Sequence, residues 1–132
     1  MCVQSVVADN RGNLWVLDPA SPGIDKVIPG GPKLVRIELA TNKVAQVIHF
    51  GEDVALQGSY LNDVRFHPNG ATAFITDSGA RGAIVVVDLQ SGSAHGADQG
   101  RGQPDHVLGI AAEMILRQLV AKQEPGSDAE QD

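Results

Sequence analysis

Asn62 and Asp63 stand side by side at the head of an alternating segment, and of all the pairs in this chain they are the best suited to hold a ligand. A short amide beside a carboxylate can bind a ligand amine or hydroxyl, or share a divalent cation through its oxygens. The same two residues can also serve local ends, Asn62 capping a turn that starts at Gly58 and Asp63 accepting from loop amides. Asp77 is the third candidate binding residue, although Ser78-Gly79 follows it at once, which is turn composition. Asp18 holds the matching place earlier in the chain with Pro19 behind it, so both aspartates have a structural reason to recur.

Other chemistries fail on spacing. DNRGN at 9–13 looks like a calcium loop only until it is counted. Gly12 comes three positions after Asp9 and no bidentate Glu follows at the right distance, so a hairpin turn is expected there. His49, His67, His95 and His106 lack metal-ligand spacing, and His67 precedes the turn signature Pro68-Asn69-Gly70, which places it toward solvent. No metal site and no cofactor are expected. Ser59, Ser78 and Ser91 have no G-x-S-x-G setting and Cys2 has no activating neighbour, so no catalytic residue is predicted.

The elements that position these residues come as a repeat. VVADNRGNLWVLD at 6–18 matches VRFHPNGATAFITD at 64–77, with Gly12 facing Gly70, Trp15 facing Phe74 and Asp18 facing Asp77. Each is followed by a second pair, KLVRIELATNK at 33–43 and AIVVVDLQSGS at 83–93. Short strands recurring at this period point to propeller blades. The expected fold is all-β, two blades of a β-propeller, with blade one at about 3–50 and blade two at about 58–93 of a partial propeller spanning 1–93. In KLVRIEL, Val35, Ile37 and Leu39 alternate with Arg36 and Glu38, as in a strand with one wet face toward a blade's outer edge. IVVVDL at 84–89 is nearly continuously apolar, which predicts burial on both faces. Trp15 and Phe74 share a repeat position and are expected to pack between sheets rather than form an aromatic cage.

After residue 93 the composition changes. Residues 94–105 are rich in Gly, Gln and Asp and predict a flexible linker. HVLGIAAEMILRQLVAKQ at 106–123 has helical spacing, with Asp105 as N-cap, and 124–132 is a polar tail expected to be disordered. The apolar stretch of the helix is too short and too charged to span a membrane. Ten basic against 16 acidic residues give a net charge of -6 and no basic stripe, which excludes nucleic acid as a partner. Cys2 is the single cysteine and cannot form an intramolecular disulfide. The start, MCVQSVVADN, shows no basic segment followed by an apolar stretch, so no signal peptide is expected as written.

GSYLNDVRFHPNGATAFITDSGARGAIVVVDL at 58–89, with SVVADNRGNLWVLDPASP at 5–22 and GPKLVRIELATNKV at 31–44, resembles the yellow and major royal jelly protein family. The resemblance runs over residues 3–93, and YLNDVRF followed by ITDSG is its most specific part. It implies a six-bladed propeller, of which this chain is a truncated copy of the bacterial type, and a secreted or extracytoplasmic location. It also makes the strand holding Asn62 the innermost of its blade, so that Asn62 and Asp63 face the central channel. The leading expectation is a small-molecule-binding propeller, its ligand an aromatic amine or catechol derivative by family alone. The alternative is an enzyme, either a dopachrome-type isomerase or a metal-dependent lactonase of the gluconolactonase kind, with a divalent cation in the full-length propeller. A third reading gives the chain as supplied no activity of its own. About three repeats are generally needed before a stack is stable, so two blades leave apolar faces bare and self-association through exposed blade edges is expected.

Overall fold

A computed structural model of the chain describes residues 1–23, 26–80 and 82–98. Eight strands make two four-stranded antiparallel sheets, each in simple meander order. The first holds β1 (Ser5–Ala8), β2 (Asn13–Asp18), β3 (Lys33–Glu38) and β4 (Lys43–His49). The second holds β5 (Leu61–Phe66), β6 (Thr72–Asp77), β7 (Ala83–Asp88) and β8 (Ala94–Asp98). This is the expected all-β pair of blades. The first hairpins turn on Gly12 (φ 79°) and Gly70 (φ 69°), the left-handed conformation that a glycine adopts without a Cβ clash.

One expectation is corrected at the end of the second sheet. Ala94–Asp98, read as the start of a linker, form β8 and pair with β7, Gly96 lying across from Val85 and Ala94 across from Val87. An edge strand needs only backbone partners on one side, so a polar, glycine-containing segment can complete the sheet. The remainder of the predicted linker, the helix at 106–123 and the tail at 124–132 lie outside the described residues. A second correction concerns β7. Ala83, Val85 and Val87 are buried while Ile84 and Val86 are only half-buried, so the strand has one dry and one partly covered face.

The core lies between the sheets. From the first sheet come Trp15, Leu17, Leu34 and Ile48, and from the second Val64, Ala73, Ile75, Val85 and Val87. Leu17, Leu34, Val64, Ile75, Val85 and Val87 are each 0% exposed. Strand alternation puts these residues on one face, since Leu17 pairs with Leu34 and Leu34 with Ile48 across the ladder. Trp15 packs against Phe66 with ring centroids 5.1 Å apart, as expected of an inter-sheet residue, whereas Phe74, given the same expectation, is buried outside this core.

The repeat also shows what lies uncovered. Val6, Val16, Val35 and Val47 form a registered row on the far face of the first sheet. Their counterparts Val64, Ile75 and Val85 are wholly buried against the first sheet, whereas Val6 is 54% and Val47 43% exposed. At about 25 cal/mol per Å², a few hundred Å² of such surface left in water is a loss of several kcal/mol. The chain is therefore expected to associate as its concentration rises in sedimentation velocity, and the pair Val6→Lys and Val47→Lys should suppress that association. A monomer at all concentrations would contradict this expectation.

Candidate functional site

β1 and β5 are the free edges of their sheets, and they lie against one another. The side chains along this seam form a polar network between the two repeats. Gln4 donates through Nε2 to Asn62 Oδ1 at 3.0 Å and accepts from the Tyr60 hydroxyl at 2.6 Å. Ser5 Oγ donates to Asp63 Oδ1 at 3.1 Å, and the Arg65 guanidinium donates to the same oxygen at 2.6 Å. Asn62 does not cap a turn and Asp63 does not hold loop amides. Both instead tie the two sheets together, with Asp63 also accepting from the Val64 amide of its own strand.

Asn62 sits in a β-bulge. Leu61 pairs with Asp77 and Asp63 with Thr76, so Asn62 has no partner across the ladder, and the Asp63 amide donates to Thr76 Oγ1 at 3.2 Å. In the first repeat the β1–β2 ladder runs in register from Ser5, the residue equivalent to Asp63, and Gln4, the equivalent of Asn62, donates its amide to the Leu17 carbonyl at 3.0 Å just ahead of it. A bulge inserts one residue and turns its side chain out of the alternation, a device that re-aims groups beside binding sites. Among the described residues, Asn62 Nδ2 and Asp63 Oδ2 make no hydrogen bond, which leaves one amide donor and one carboxylate acceptor side by side on a half-buried edge.

Asp77 is placed differently. It is 3% exposed, and its Oδ1 accepts from the Tyr60 and Gly79 amides at 2.8 and 2.9 Å. Asp18 does the same work in the first repeat, accepting from the Cys2 and Ala20 amides at 3.1 and 2.8 Å. Each aspartate thus joins the residue leading into one strand to the loop leaving the next. The repeats part at the second oxygen. Asp18 Oδ2 pairs with Lys33 Nζ at 3.0 Å, whereas the residue across from Asp77 is Ala83 and Asp77 Oδ2 is buried without a partner.

Burial pushes the Asp18 carboxyl up, but the Lys33 hydrogen bond, the Ala20 and Cys2 amides and the Lys33 charge outweigh it and hold the pKa below its ordinary 3.8. Asp9 follows the same pattern: burial raises it, and the Trp15 indole with the Asn13 and Arg11 groups brings it below 3.8. His67, expected toward solvent, is half-buried, and its Nδ1 accepts from the Asn69 amide at 3.1 Å. Among the described residues, no three His, Cys, Asp or Glu side chains gather as metal ligands.

With this geometry in place, comparison with known proteins gives one match. The family model described as major royal jelly protein covers residues 1–113. A search of curated proteins returned no match.

A group whose folded pKa is depressed stabilises the fold fully above its unfolded value and loses that contribution as pH falls through the folded value. Asp9 and Asp18 therefore predict a melting temperature that begins to drop as pH falls below 3.8, the loss completing only beneath their depressed values. Asp18→Asn should cost about 2 kcal/mol at neutral pH, as expected for a charge-assisted hydrogen bond, and should flatten that acid limb. An unchanged acid limb in the variant would remove Asp18 from this role.

Proposed function

Because this chain belongs to the major royal jelly protein family, we propose that its two sheets are neighbouring blades of a small-molecule-binding propeller and that the β1–β5 seam is channel wall. The bulge at Asn62 carries the reading. It falls where an amide and a carboxylate stand together, and Asn62 Nδ2 and Asp63 Oδ2 are left without a hydrogen bond among the described residues. Blades stack with their first strands innermost around a channel, and the mutual contact of β1 and β5 fits that placement.

The ligand class is suggested by the family, and the donor set is compatible with it. Asp63 Oδ2 suits a protonated amine or a hydroxyl, and the Asn62 amide suits a hydroxyl or carbonyl oxygen beside it. The Tyr60 ring stands on the same seam. An aromatic amine or catechol-type ligand meets all three. Asp77 supports the site from behind by fixing the Tyr60 amide.

Dopamine serves as the probe in calorimetric titration of the chain. Saturable binding is expected, with Asn62→Ala and Asp63→Asn each weakening it about tenfold, which is about 1.4 kcal/mol. Absence of binding, or binding indifferent to both substitutions, would overturn the reading.

A further inference from the structure

Away from the seam, at the end of the sheets where the β1–β2 and β5–β6 hairpins turn, the two blades enclose a cleft of about 360 Å³. Its residues depart from the repeat. Trp15 pairs with Arg36 across the first sheet, whereas the equivalent Phe74 pairs with Val86 across the second. An arginine has therefore replaced a valine on a face that elsewhere packs dry. The Arg36 guanidinium lies 5.9 Å from the Trp15 ring centroid, yet its donors are almost unused. Nε is buried without a partner, and Nη1 has only a 3.5 Å contact with Asn13 Oδ1. Leaving a buried N–H unpaired is costly unless something supplies an acceptor.

A second guanidinium stands at the rim. Arg11, on the turn of the first repeat, reaches the turn of the second, where its Nη2 makes a long contact of 3.4 Å to the Pro68 carbonyl. The guanidinium packs over Gly70, whose φ of 69° is what calls for glycine there. Neither arginine has a carboxylate within ion-pair distance among the described residues, where the pairs are Lys33–Asp18 and Arg65–Asp63. The nearby carboxylate, Asp9, is already saturated. Its Oδ1 accepts from the Arg11 and Asn13 amides, and its Oδ2 from Trp15 Nε1 and Asn13 Nδ2. Two cations against one committed anion leave the cleft one positive charge to be matched, in a chain whose net charge is -6.

We propose that this cleft binds a small organic carboxylate, the head group paired with Arg36 and Arg11 and the apolar body against Phe66, Ala71 and Leu89. The planar guanidinium fork fits a carboxylate edge to edge. The apolar lining and the volume, which falls in the range of small-molecule pockets, favour an organic anion over a bare inorganic one. This site is independent of the β1–β5 seam.

Trp15 is the only tryptophan in the chain, and its indole N–H, bonded to Asp9 Oδ2 at 2.8 Å, gives one nitrogen-15 NMR signal inside the cleft. The chain would be titrated with benzoate, with neutral benzamide and with inorganic phosphate while that signal is followed. Benzoate should shift it saturably, with benzamide and phosphate each about tenfold or more weaker. Arg36→Gln should weaken benzoate by about tenfold, and Lys43→Gln, on the exposed outer strand, should not. If Arg36→Gln does not fold, Arg11→Gln at the exposed rim replaces it, with about threefold weakening expected. Benzamide or phosphate equal to benzoate would overturn the proposal, as would a wild-type signal that benzoate leaves unmoved. That last result would assign Arg36 to covering Trp15 alone.

Discussion

Leu17 and Leu34 on one sheet and Val64, Ile75 and Val85 on the other have no surface in water, and the contact among them is what gives each sheet a reason to exist. A four-stranded antiparallel sheet buries little by itself. Once its apolar face is laid against another, the ladder hydrogen bonds are shielded and the alternation of side chains acquires an inside and an outside. Every polar group described above is placed by that choice. Gln4 and Ser5 meet Asn62 and Asp63 because facing the sheets brings their first strands together. Arg36 enters the interior because it shares a face with Leu34.

The two repeats are alike where packing requires it and differ where it does not. Gly12 and Gly70, and Asp18 and Asp77, keep the same tasks in both, while Phe74 is buried outside the inter-sheet core that Trp15 joins. The differences are Lys33 against Ala83, Arg36 against Val86, and Gln4-Ser5 against Asn62-Asp63. Each of these leaves a polar atom without a local partner: Asp77 Oδ2, Arg36 Nε and Asn62 Nδ2. Consistency within a repeat is what a stack of blades needs in order to fold, so departures that cost hydrogen bonds are the places where something other than folding has shaped the sequence.

Most of the fold was legible in the sequence because turn residues and period-two alternation are local signals. Asp9 to Gly12 and His67 to Gly70 announce their hairpins, and the shared positions of Trp15 and Phe74 announce the repeat. β8 was not legible, since AHGAD at Ala94–Asp98 has no run of large apolar residues and looks like the linker composition around it. Burial of β7 was overstated for the opposite reason: five apolar residues in a row give no hint of which face a neighbour will cover. Of the seam, the place of Asn62 and Asp63 at the head of a strand was readable but their partners were not, because Gln4 and Ser5 lie in the other repeat. The cleft escaped entirely. Arg11 and Arg36 are distant in the chain and meet only through strand register and sheet packing, although the arginine standing at a valine's repeat position was a signal available to read.

The paired aspartates set a rule for how such units can diverge. Asp18 and Asp77 each use a single carboxylate oxygen to hold the chain coming into one strand and the loop leaving the next, so each blade closes its own seam. What lies beyond that clamp is then free in length. In the first repeat the excursion between β2 and β3 runs from Pro19 to Pro32, and in the second it shrinks to Ser78 through Gly82. Insertions and deletions at this point can be accepted without disturbing the sheet. A lineage of such chains can therefore remodel one rim of the assembly, and whatever it meets there, while the β framework stays as it is.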